Sequence, residues 1–176
     1  ANGMALNISK AALEGTRSVA GRFEIVCTSP LVIVDYAHTP DGLENILRAA
    51  RELTPKDGSL ICLFGCGGDR DATKRPKMGK IAQSLSDKII VTSDNPRSED
   101  PQQITTDILS GLKLINPKTV FVEPDRACAI KMLKTIAGDK DVVIVAGKGH
   151  EDYQILKDRT IHFDDREEVA RVFGAN

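Results

Sequence analysis

Tryptophan is absent from this chain of 176 residues, and aromatic residues make up only 4% of it. Proteins that bind single-stranded nucleic acid stack the bases on aromatic side chains, so this composition argues against that class. The formal net charge of -1 also provides no overall field that would attract nucleic acid or an anionic membrane. We therefore expect neither nucleic acid nor a membrane among the partners of the chain.

Long apolar runs and paired cysteines are missing as well. No apolar run approaches the roughly 20 residues of a membrane-spanning helix, and the N-terminus lacks the basic start and apolar stretch of a signal peptide. The four cysteines form no C-x-x-C pair and do not cluster with the three histidines, as zinc ligands would. The sequence thus predicts a reduced, cytoplasmic protein with no metal site in this chain.

The common phosphate-binding motifs are also absent. No G-x-x-x-x-G-K-[ST] motif occurs, so the chain has no P-loop. The glycine-rich segment 65–71 is not a dinucleotide fingerprint, because Arg70 stands where the last glycine of G-x-G-x-x-G belongs. No Ser, His and Asp order indicates a hydrolase. A dinucleotide oxidoreductase is therefore the weakest alternative.

Strand-like and helix-like segments alternate from residue 21 onward. Alternation of this length predicts βαβ units, and hence an α/β fold. We expect a Rossmann-like open, mostly parallel sheet with helices on both faces and a C-terminal β-hairpin. In the first strand Phe23, Ile25 and Cys27 are expected on one face. The predicted strands are 22–28, 31–34, 60–64, 88–92, 119–122, 142–146, 154–156 and 160–162, and the predicted helices are 40–53, 76–86, one from Pro101 that carries Leu112, 125–137, and one capped by Asp164 or Asp165.

The first twenty residues differ from the rest of the chain. Ser9 is suited to cap a short helix that ends at Gly15, and such a helix is too short to be a domain. We interpret residues 1–20 as the tail of an upstream domain or as a linker. Residues 21–176 are expected to form one domain.

Four strand-like runs end in polar or glycine-rich clusters that a packed core would not need. In open parallel sheets the ligand crevice lies beyond the carboxyl ends of the strands. Such clusters at one edge predict a binding site for a charged small molecule. The clusters are 35–41, 65–71, 94–97 and 147–151.

Two of these clusters carry the groups that a zwitterion needs. Asp94 and Asn95 are suited to an ammonium group. Arg70 and Arg97 are suited to a carboxylate, which a guanidinium binds in a bidentate manner. The alternative is an ordinary Asx-Pro turn at Pro96 and a loop with solvated charges.

The last cluster combines two glycines, which permit a tight turn of the backbone, with three titratable side chains. Gly147 allows close approach of the backbone to a ligand. Lys148 is a candidate for contact with a phosphate, and Glu151 for contact with an ammonium group. The alternative for His150 is a solvated or hydrogen-bonded loop histidine.

The first cluster offers groups suited to a nucleoside. The Asp35 carboxylate is suited to a ribose hydroxyl, and the rings of Tyr36 and His38 are suited to pack on a base, although this cluster alone would be a weak signal. The segment that follows the second cluster carries three basic residues, which we interpret as solvated or dipole-related rather than catalytic: Lys74, Arg75 and Lys77.

Together, these clusters closely resemble the C-terminal domain of the Mur ligases. The order and spacing of segments 21–24, 35–41, 65–76, 94–97 and 147–151 carry the resemblance, which runs from about residue 21 to the end of the chain. It implies an ATP-dependent amide ligation in cytoplasmic peptidoglycan synthesis. ATP activates the terminal D-glutamate carboxyl of UDP-N-acetylmuramoyl-L-alanyl-D-glutamate as an acyl phosphate, and an incoming amine then displaces phosphate.

The resemblance also implies roles for individual residues. The D-N-P-R sequence at 94–97 matches the family's signature for meso-diaminopimelate, and lysine-adding members carry another residue in place of the arginine. Lysine lacks the second carboxylate that an arginine fits. The positions implied to hold the diamino acid are Arg70, Asp94, Asn95, Pro96, Arg97, Gly147 and Glu151. The positions implied to reach ATP across a domain cleft are Arg22, Asp35, Tyr36 and His38.

Several parts of the family's machinery have no counterpart in this sequence: the P-loop, the carbamylated lysine, the magnesium ligands and the UDP-binding domain. The resemblance implies that upstream central and N-terminal domains supply them, and that the full-length enzyme uses ATP and Mg²⁺. We expect this chain to fold alone as a monomer, to bind neither cofactor by itself and not to ligate, because acyl phosphate chemistry needs phosphate binding and metal charge. The alternatives are a related domain that adds L-lysine or another amino acid, a glutamate-adding folate ligase, and a free-standing binding module.

Overall fold

The computed structural model describes residues 19–174, so the helix predicted after Ser9 lies outside the described residues. The longest helix in this range has 14 residues, and no helix in the range is long and apolar enough to cross a membrane. The elements, in chain order, are β1 (Glu24–Thr28), β2 (Leu31–Asp35), α1 (Pro40–Leu53), β3 (Leu60–Phe64), α2 (Lys74–Leu85), β4 (Lys88–Val91), α3 (Pro101–Leu109), β5 (Val120–Val122), α4 (Arg126–Ile136), β6 (Val142–Ala146), β7 (Tyr153–Ile155), β8 (Thr160–His162) and α5 (Asp165–Phe173).

Six strands form one sheet in the order β1-β2-β6-β3-β4-β5. Strands β2 to β6 are parallel to one another, and β1 runs antiparallel to β2 at one edge. Strands β7 and β8 form a separate antiparallel hairpin. The predicted α/β fold class is therefore confirmed. Because β6 returns to the middle of the sheet, between β2 and β3, the strand order changes direction there, and such a point opens a crevice at the carboxyl edge.

The core has two layers, because successive strand residues point to opposite faces of the sheet. Cys62 and Ile144 pack with α1, α2 and α3 on one face, whereas Ile61 and Val143 pack with α4 and α5 on the other. All five residues of β3 and all five of β6 are buried. Strands covered on both faces are expected to be continuously apolar, as these two are.

The first strand departs from the sequence-based prediction. The pairing register of β1 shifts between Ile25 and Cys27, so one extra residue, Val26, stands in this edge strand. An extra residue reverses the alternation of faces. Phe23 therefore packs in the α1 layer, Cys27 packs in the α4 layer, and Ile25 is 52% exposed. The prediction that the three share one face is wrong, because a bulge cannot be seen in a period-two pattern.

Side-chain caps explain which helix starts were predictable. The side chains of Thr39, Asp100, Asp125 and Asp164 each accept a hydrogen bond from the first turn of α1, α3, α4 and α5. These residues hold N–H groups that have no partner within the helix. The start of α2 lies at Lys74, two residues before the predicted Pro76, and its N-cap makes no side-chain hydrogen bond.

Candidate functional site

A cleft of about 630 Å³ lies at the carboxyl edge of the parallel strands. Loops after β2, β3, β4 and β6 form its walls, together with the first residue of β7. Pro96 lies outside it, in a neighbouring depression. The cleft thus brings together most of the residues expected at an amino-acid site. Six of those seven predicted residues line it: Arg70, Asp94, Asn95, Arg97, Gly147 and Glu151.

Asn95 is fixed by hydrogen bonds at both ends of its amide group. Its Oδ1 accepts from Lys148 Nζ at 2.9 Å and from the N–H of Ile155 at 3.0 Å. Its Nδ2 donates to Glu151 Oε2 at 2.9 Å. Both acceptor positions of the amide oxygen are therefore used. Asn95 was expected to face an ammonium group, but the side chain offers a donor, which suits a carboxylate instead.

Lys148 lies under the cleft rather than in it. Its side chain is fully buried, and it donates to Asn95 Oδ1 and, at 2.7 Å, to the carbonyl of Tyr153. The Nζ atom also lies 3.4 Å from Asp94 Oδ1 and 3.9 Å from Glu151 Oε2. Burial lowers the pKa of Lys148, and the Asp94 carboxylate opposes that shift. The idea that Lys148 contacts a phosphate is wrong, because no part of it reaches the surface.

Asp94 and Gly147 approach each other from β4 and β6. Asp94 is only 8% exposed, and its backbone carbonyl accepts from Gln154 Nε2 at 2.7 Å, so the hairpin holds the residue in place. Gly147 has a φ of 122°, a conformation that side chains rarely adopt. A Cβ there would lie 3.9 Å from the Asp94 carboxylate, and the backbone conformation rather than space is what requires the glycine.

Two guanidinium groups reach the cleft from neighbouring loops. Arg97 Nη1 donates to the carbonyl of Gly68 at 2.8 Å, and Arg70 Nη1 donates to the carbonyl of Asp69 at 2.9 Å. Within residues 19–174, neither guanidinium lies within 4 Å of a carboxylate oxygen. Both can therefore still make a charge-assisted, bidentate contact with a ligand carboxylate.

Arg75 supports the loop after β3 from below. It was expected to be solvated, yet it is 1% exposed and forms ion pairs with Glu99 and Asp107, both at 2.8 Å. Its Nη2 also donates to the carbonyl of Gly67 at 3.3 Å. The correction has a physical cause, since two carboxylates from the following loop and from α3 compensate the buried charge. Sequence spacing alone does not reveal such long-range partners.

The loops after β3 and β4 are joined directly as well. Asp69 Oδ1 accepts from the Ser98 hydroxyl at 2.7 Å, and this bond and the Ser98 N–H lower the pKa of Asp69. A Cβ on Gly68 would lie 1.9 Å from the carbonyl oxygen of Pro96. The two loops therefore pack backbone against backbone, and carbonyls of the loop after β3 accept from both arginines of the cleft.

A buried ion pair lies beneath these loops. Arg126 and Asp165 have no exposed side-chain surface, and two hydrogen bonds of 2.7 Å join them. Arg126 also donates to the carbonyl of Ala146, the last residue of β6, and to the carbonyl of Ser93, which follows β4. Burial acts to lower the pKa of Arg126, but the carboxylates of Asp165, Asp94 and Glu151 together raise it. The sequence suggested Asp165 only as a helix cap.

Four residues form a second group, which we call the ring cluster: Arg22, Tyr36, His38 and His150. The Tyr36 ring lies 4.6 Å from the His38 ring and 5.1 Å from the His150 ring. The Arg22 guanidinium carbon lies 5.4 Å from the centre of the Tyr36 ring. Tyr36 and His38 also line the cleft. Three of the four residues expected to reach ATP therefore cluster together.

Asp35, the fourth residue expected to reach ATP, is not part of the cleft lining. Its Oδ2 accepts from the N–H of Phe23 at 2.8 Å, which fixes the entry of the chain into β1. Gly21 packs nearby with a φ of 66°, and a Cβ there would lie 2.0 Å from the backbone nitrogen of His150. The segment that leads into the domain thus contacts the cluster at 147–151 directly.

Three cleft-lining residues outside the four clusters were not identified as binding residues in the sequence: Lys74, Lys77 and Tyr153. Lys74 Nζ donates to the carbonyl of His38 at 2.8 Å, and Tyr153 contributes from the hairpin. Glu151 raises the pKa of the Tyr153 phenol through its negative charge. Among residues 19–174, no group of three or more His, Cys, Asp or Glu side chains is arranged to hold a metal ion.

The fold and the cleft define a class of protein: an α/β domain that presents separate cationic and anionic groups at the carboxyl edge of its sheet. Arg70, Arg97 and the Asn95 amide are complementary to a carboxylate, while Asp94 and Glu151 are complementary to an ammonium group. We call the set Asp94, Asn95, Arg97, Lys148 and Glu151 the polar half of the cleft. Small zwitterions are the ligands that such an arrangement suits.

The chain belongs to the Mur ligase family, since the family described as "Mur ligase, glutamate ligase domain" matches residues 21–149. It is 57% identical over 174 residues to "UDP-N-acetylmuramoyl-L-alanyl-D-glutamate--2,6-diaminopimelate ligase" of Clostridium botulinum (strain ATCC 19397 / Type A), covering 97% of this chain and 35% of that protein. The protein of the same name from Synechococcus elongatus (strain ATCC 33912 / PCC 7942 / FACHB-805) is 58% identical over 86% of this chain and 30% of its own length.

A solved structure with this ligase's name in its title is also similar. It superposes with a TM-score of 0.81 at 37% sequence identity, covering 97% of this chain and 35% of that chain. The predicted family resemblance is therefore confirmed. The chain spans about a third of the length of the curated relatives it matches.

Proposed function

We propose that the chain is the amino-acid-binding, C-terminal domain of an ATP-dependent ligase that adds meso-diaminopimelate to UDP-N-acetylmuramoyl-L-alanyl-D-glutamate. One observation carries this proposal: two guanidiniums that have no carboxylate partner within residues 19–174 line the same cleft as two carboxylates. A diamino acid with two carboxylates needs more cationic groups than lysine does. The names of the relatives support the same substrate.

The cleft-lining residues of the polar half, together with Arg70 and Gly147, would supply the contacts to the diamino acid. Arg97, Arg70 and the Asn95 Nδ2 donor would hold a carboxylate at one end of the ligand. Asp94 and Glu151 would accept from the ammonium group beside it. Gly147 has no side chain, so its backbone could approach that ammonium group closely. This arrangement would fix one end of the molecule and leave the amine at the other end free to attack. Positioning of this kind converts a bimolecular step into a nearly unimolecular one.

ATP fits the ring cluster by its chemistry. Tyr36 and His38 present ring faces at the cleft, and Arg22 carries a positive charge beside them. When bound in the full-length protein, ATP would supply the phosphoryl group that activates the D-glutamate carboxyl. Arg22, Tyr36 and His38 would contact the nucleotide, and Asp35 would act by holding the chain at Phe23. We assign no residue of this chain to Mg²⁺.

The remaining partners would lie on other domains of the same protein. We propose that residues 1–20 lead from a central ATPase domain and that residues 21–176 form the amino-acid-binding domain. Peptidoglycan precursors of this kind are made in the cytoplasm, so we place the protein there. We expect the chain by itself to be monomeric and to catalyse no ligation, because phosphate-binding and metal-binding groups would come from upstream.

Steady-state ligation by the full-length protein tests this proposal. We expect meso-diaminopimelate to be used far better than L-lysine. The Arg97→Ala variant should raise the KM for meso-diaminopimelate by at least about tenfold, because a charge-assisted contact is lost, and the KM for L-lysine much less. The matched control is Arg48→Ala, since Arg48 lies on α1 and is exposed. Equal use of both amino acids would favour a lysine-adding or other related ligase instead.

A further inference from the structure

Lys148 Nζ lies within 4 Å of three of the other four members of the polar half: Asp94, Asn95 and Glu151. Its ammonium donates to Asn95 Oδ1 and to the carbonyl of Tyr153, and it lies 3.4 Å from Asp94 Oδ1, an ion pair without a hydrogen bond. The side chain has no exposed surface, so it takes no part in ligand contact itself. A buried charge is costly unless paired, so its presence here calls for a function.

The hydrogen bond to Asn95 determines which way the amide points. An asparagine amide can turn over, because its two ends differ little in size. Lys148 Nζ and the N–H of Ile155 are both donors, and together they hold Oδ1 away from the cleft. Nδ2 must then point towards Glu151. Without the lysine, one of the two donors that define this orientation is gone.

Charge gives a second, independent argument. Asp94 and Glu151 approach the same buried volume, and two carboxylates there repel each other. The groups that contact Lys148 are these two carboxylates, the Asn95 oxygen and the Tyr153 carbonyl. Arg126 and Asp165 also act on its charge, but they are paired with each other and their charges cancel. One internal ammonium among two carboxylates leaves a single net negative charge. That charge matches the single ammonium group at one end of an amino acid.

We propose that Lys148 is a positioning residue of the amino-acid site: its buried ammonium orients the Asn95 amide as a donor and neutralises one of the two carboxylates, Asp94 and Glu151. The inference rests on the proposed function for the identity of the ligand. The geometry of the lysine and the amide does not depend on that function. The two parts can therefore be tested separately.

The first test uses the unsubstituted 176-residue chain and nuclear magnetic resonance of ¹⁵N-labelled lysine ammonium groups. Lys148 is expected to give a resolved ammonium signal whose hydrogens exchange slowly with water, with a coupling through the hydrogen bond to the Asn95 amide carbon. Lys140, which is 67% exposed at its side chain, is the internal comparison and should exchange too fast to be seen. A Lys148 signal that exchanges as fast as that of Lys140 would overturn the proposal.

The second test uses the full-length ligase with Lys148→Met, and with Lys140→Met as the control. We expect the KM for meso-diaminopimelate to rise by at least about tenfold, while the KM for ATP stays within about twofold. Lys148→Arg keeps a buried charge and donors, and it should restore part of the loss. A merely structural lysine would lower the fraction of active enzyme, and hence kcat, without changing the KM for the amino acid.

The outcomes separate the two proposals. If the unsubstituted ligase does not use meso-diaminopimelate, the proposed function fails, whereas the resonance test of Lys148 still decides the positioning role. If the ligase uses the amino acid and Lys148→Met leaves its KM unchanged, only the positioning role is wrong. If Lys148→Met does not fold, the resonance test on the unsubstituted chain decides: a slowly exchanging Lys148 ammonium coupled to the Asn95 amide supports the role, and fast exchange contradicts it.

Discussion

The polar half and the ring cluster both contribute side chains to one cleft, yet they are held in different ways. In the polar half, Asp94, Asn95 and Lys148 are buried and joined by side-chain hydrogen bonds and ion pairs. In the ring cluster, Arg22 and His150 are exposed, and the contacts are ring packing at 4.6 to 5.4 Å. Preorganised sites are held by buried, hydrogen-bonded supports. We therefore expect the polar half to be ready to bind in this chain, and the ring cluster to need an adjoining surface.

The largest effect is expected where the support beneath the polar half is removed. Arg126→Met leaves the Asp165 carboxylate buried without a partner, and breaking such a pair typically costs about 3–5 kcal/mol. Urea unfolding of the chain measures the free energy of unfolding. Arg48→Met is the control, because an exposed i,i+4 ion pair contributes about 0.3–0.5 kcal/mol. Similar losses in both variants would show that the buried pair does not stabilise the fold.

A smaller effect is expected at the contact between the loops after β3 and β4. Gly68→Ala places a Cβ 1.9 Å from the Pro96 carbonyl oxygen, so the backbone must move, at a cost of about 1–3 kcal/mol. The same substitution at Gly138, where the nearest atom is 3.9 Å away, should leave stability nearly unchanged. Thermal unfolding of the two variants provides the measurement. Equal transitions for both would mean that the loops are not packed as tightly as described.

The ring cluster should tolerate change better. Tyr36→Leu removes two ring contacts and one cation–π contact at a half-buried position, and we expect a loss of about 1 kcal/mol or less. The affinity of the chain for meso-diaminopimelate should stay within about twofold, since no group of the polar half changes. In the full-length protein the KM for ATP should rise. A large loss of amino-acid affinity would remove the distinction between the two halves.

The smallest expected effect is a change in the pKa of Tyr153. The negative charge of Glu151 raises the pKa of Tyr153, because it disfavours the phenolate, so Tyr153 should ionise above its usual pH of about 10. Glu151→Gln should lower that pKa towards the usual value. The chain has two tyrosines, so Tyr36→Phe leaves Tyr153 alone to report by ultraviolet absorbance. An unchanged titration in Glu151→Gln would indicate that the two side chains are farther apart than described.

Much of the fold could be predicted because its signals are local. The bounds of α1, β3, β6 and β8 follow from apolar runs and caps, and the structure confirms them. The bulge in β1 could not be predicted, since nothing in an alternating pattern marks where an extra residue will stand. The start of α2 was missed because its N-cap makes no side-chain bond.

The cleft shows the same limit for charged residues. The clusters after four strands were visible in the sequence, because strand ends in a parallel sheet meet at one edge. The burial and ion pairing of Lys148 and Arg75 could not be predicted. Both looked like solvated or ligand-binding cations, and both are buried against carboxylates from elements that are distant in sequence, Lys148 against Asp94 and Arg75 against Glu99 and Asp107. Pairing across the fold decides such cases, and one sequence does not record it. The roles of the cleft residues in binding stay predictions.

Calorimetric titration of this chain with meso-diaminopimelate, L-lysine and ATP tests the central claim most directly. If the polar half is ready to bind, meso-diaminopimelate alone should give binding heat, and Arg97→Ala should abolish it. L-lysine and ATP should give little or none. Binding of ATP without binding of meso-diaminopimelate, or equal binding of meso-diaminopimelate and L-lysine, would contradict the account.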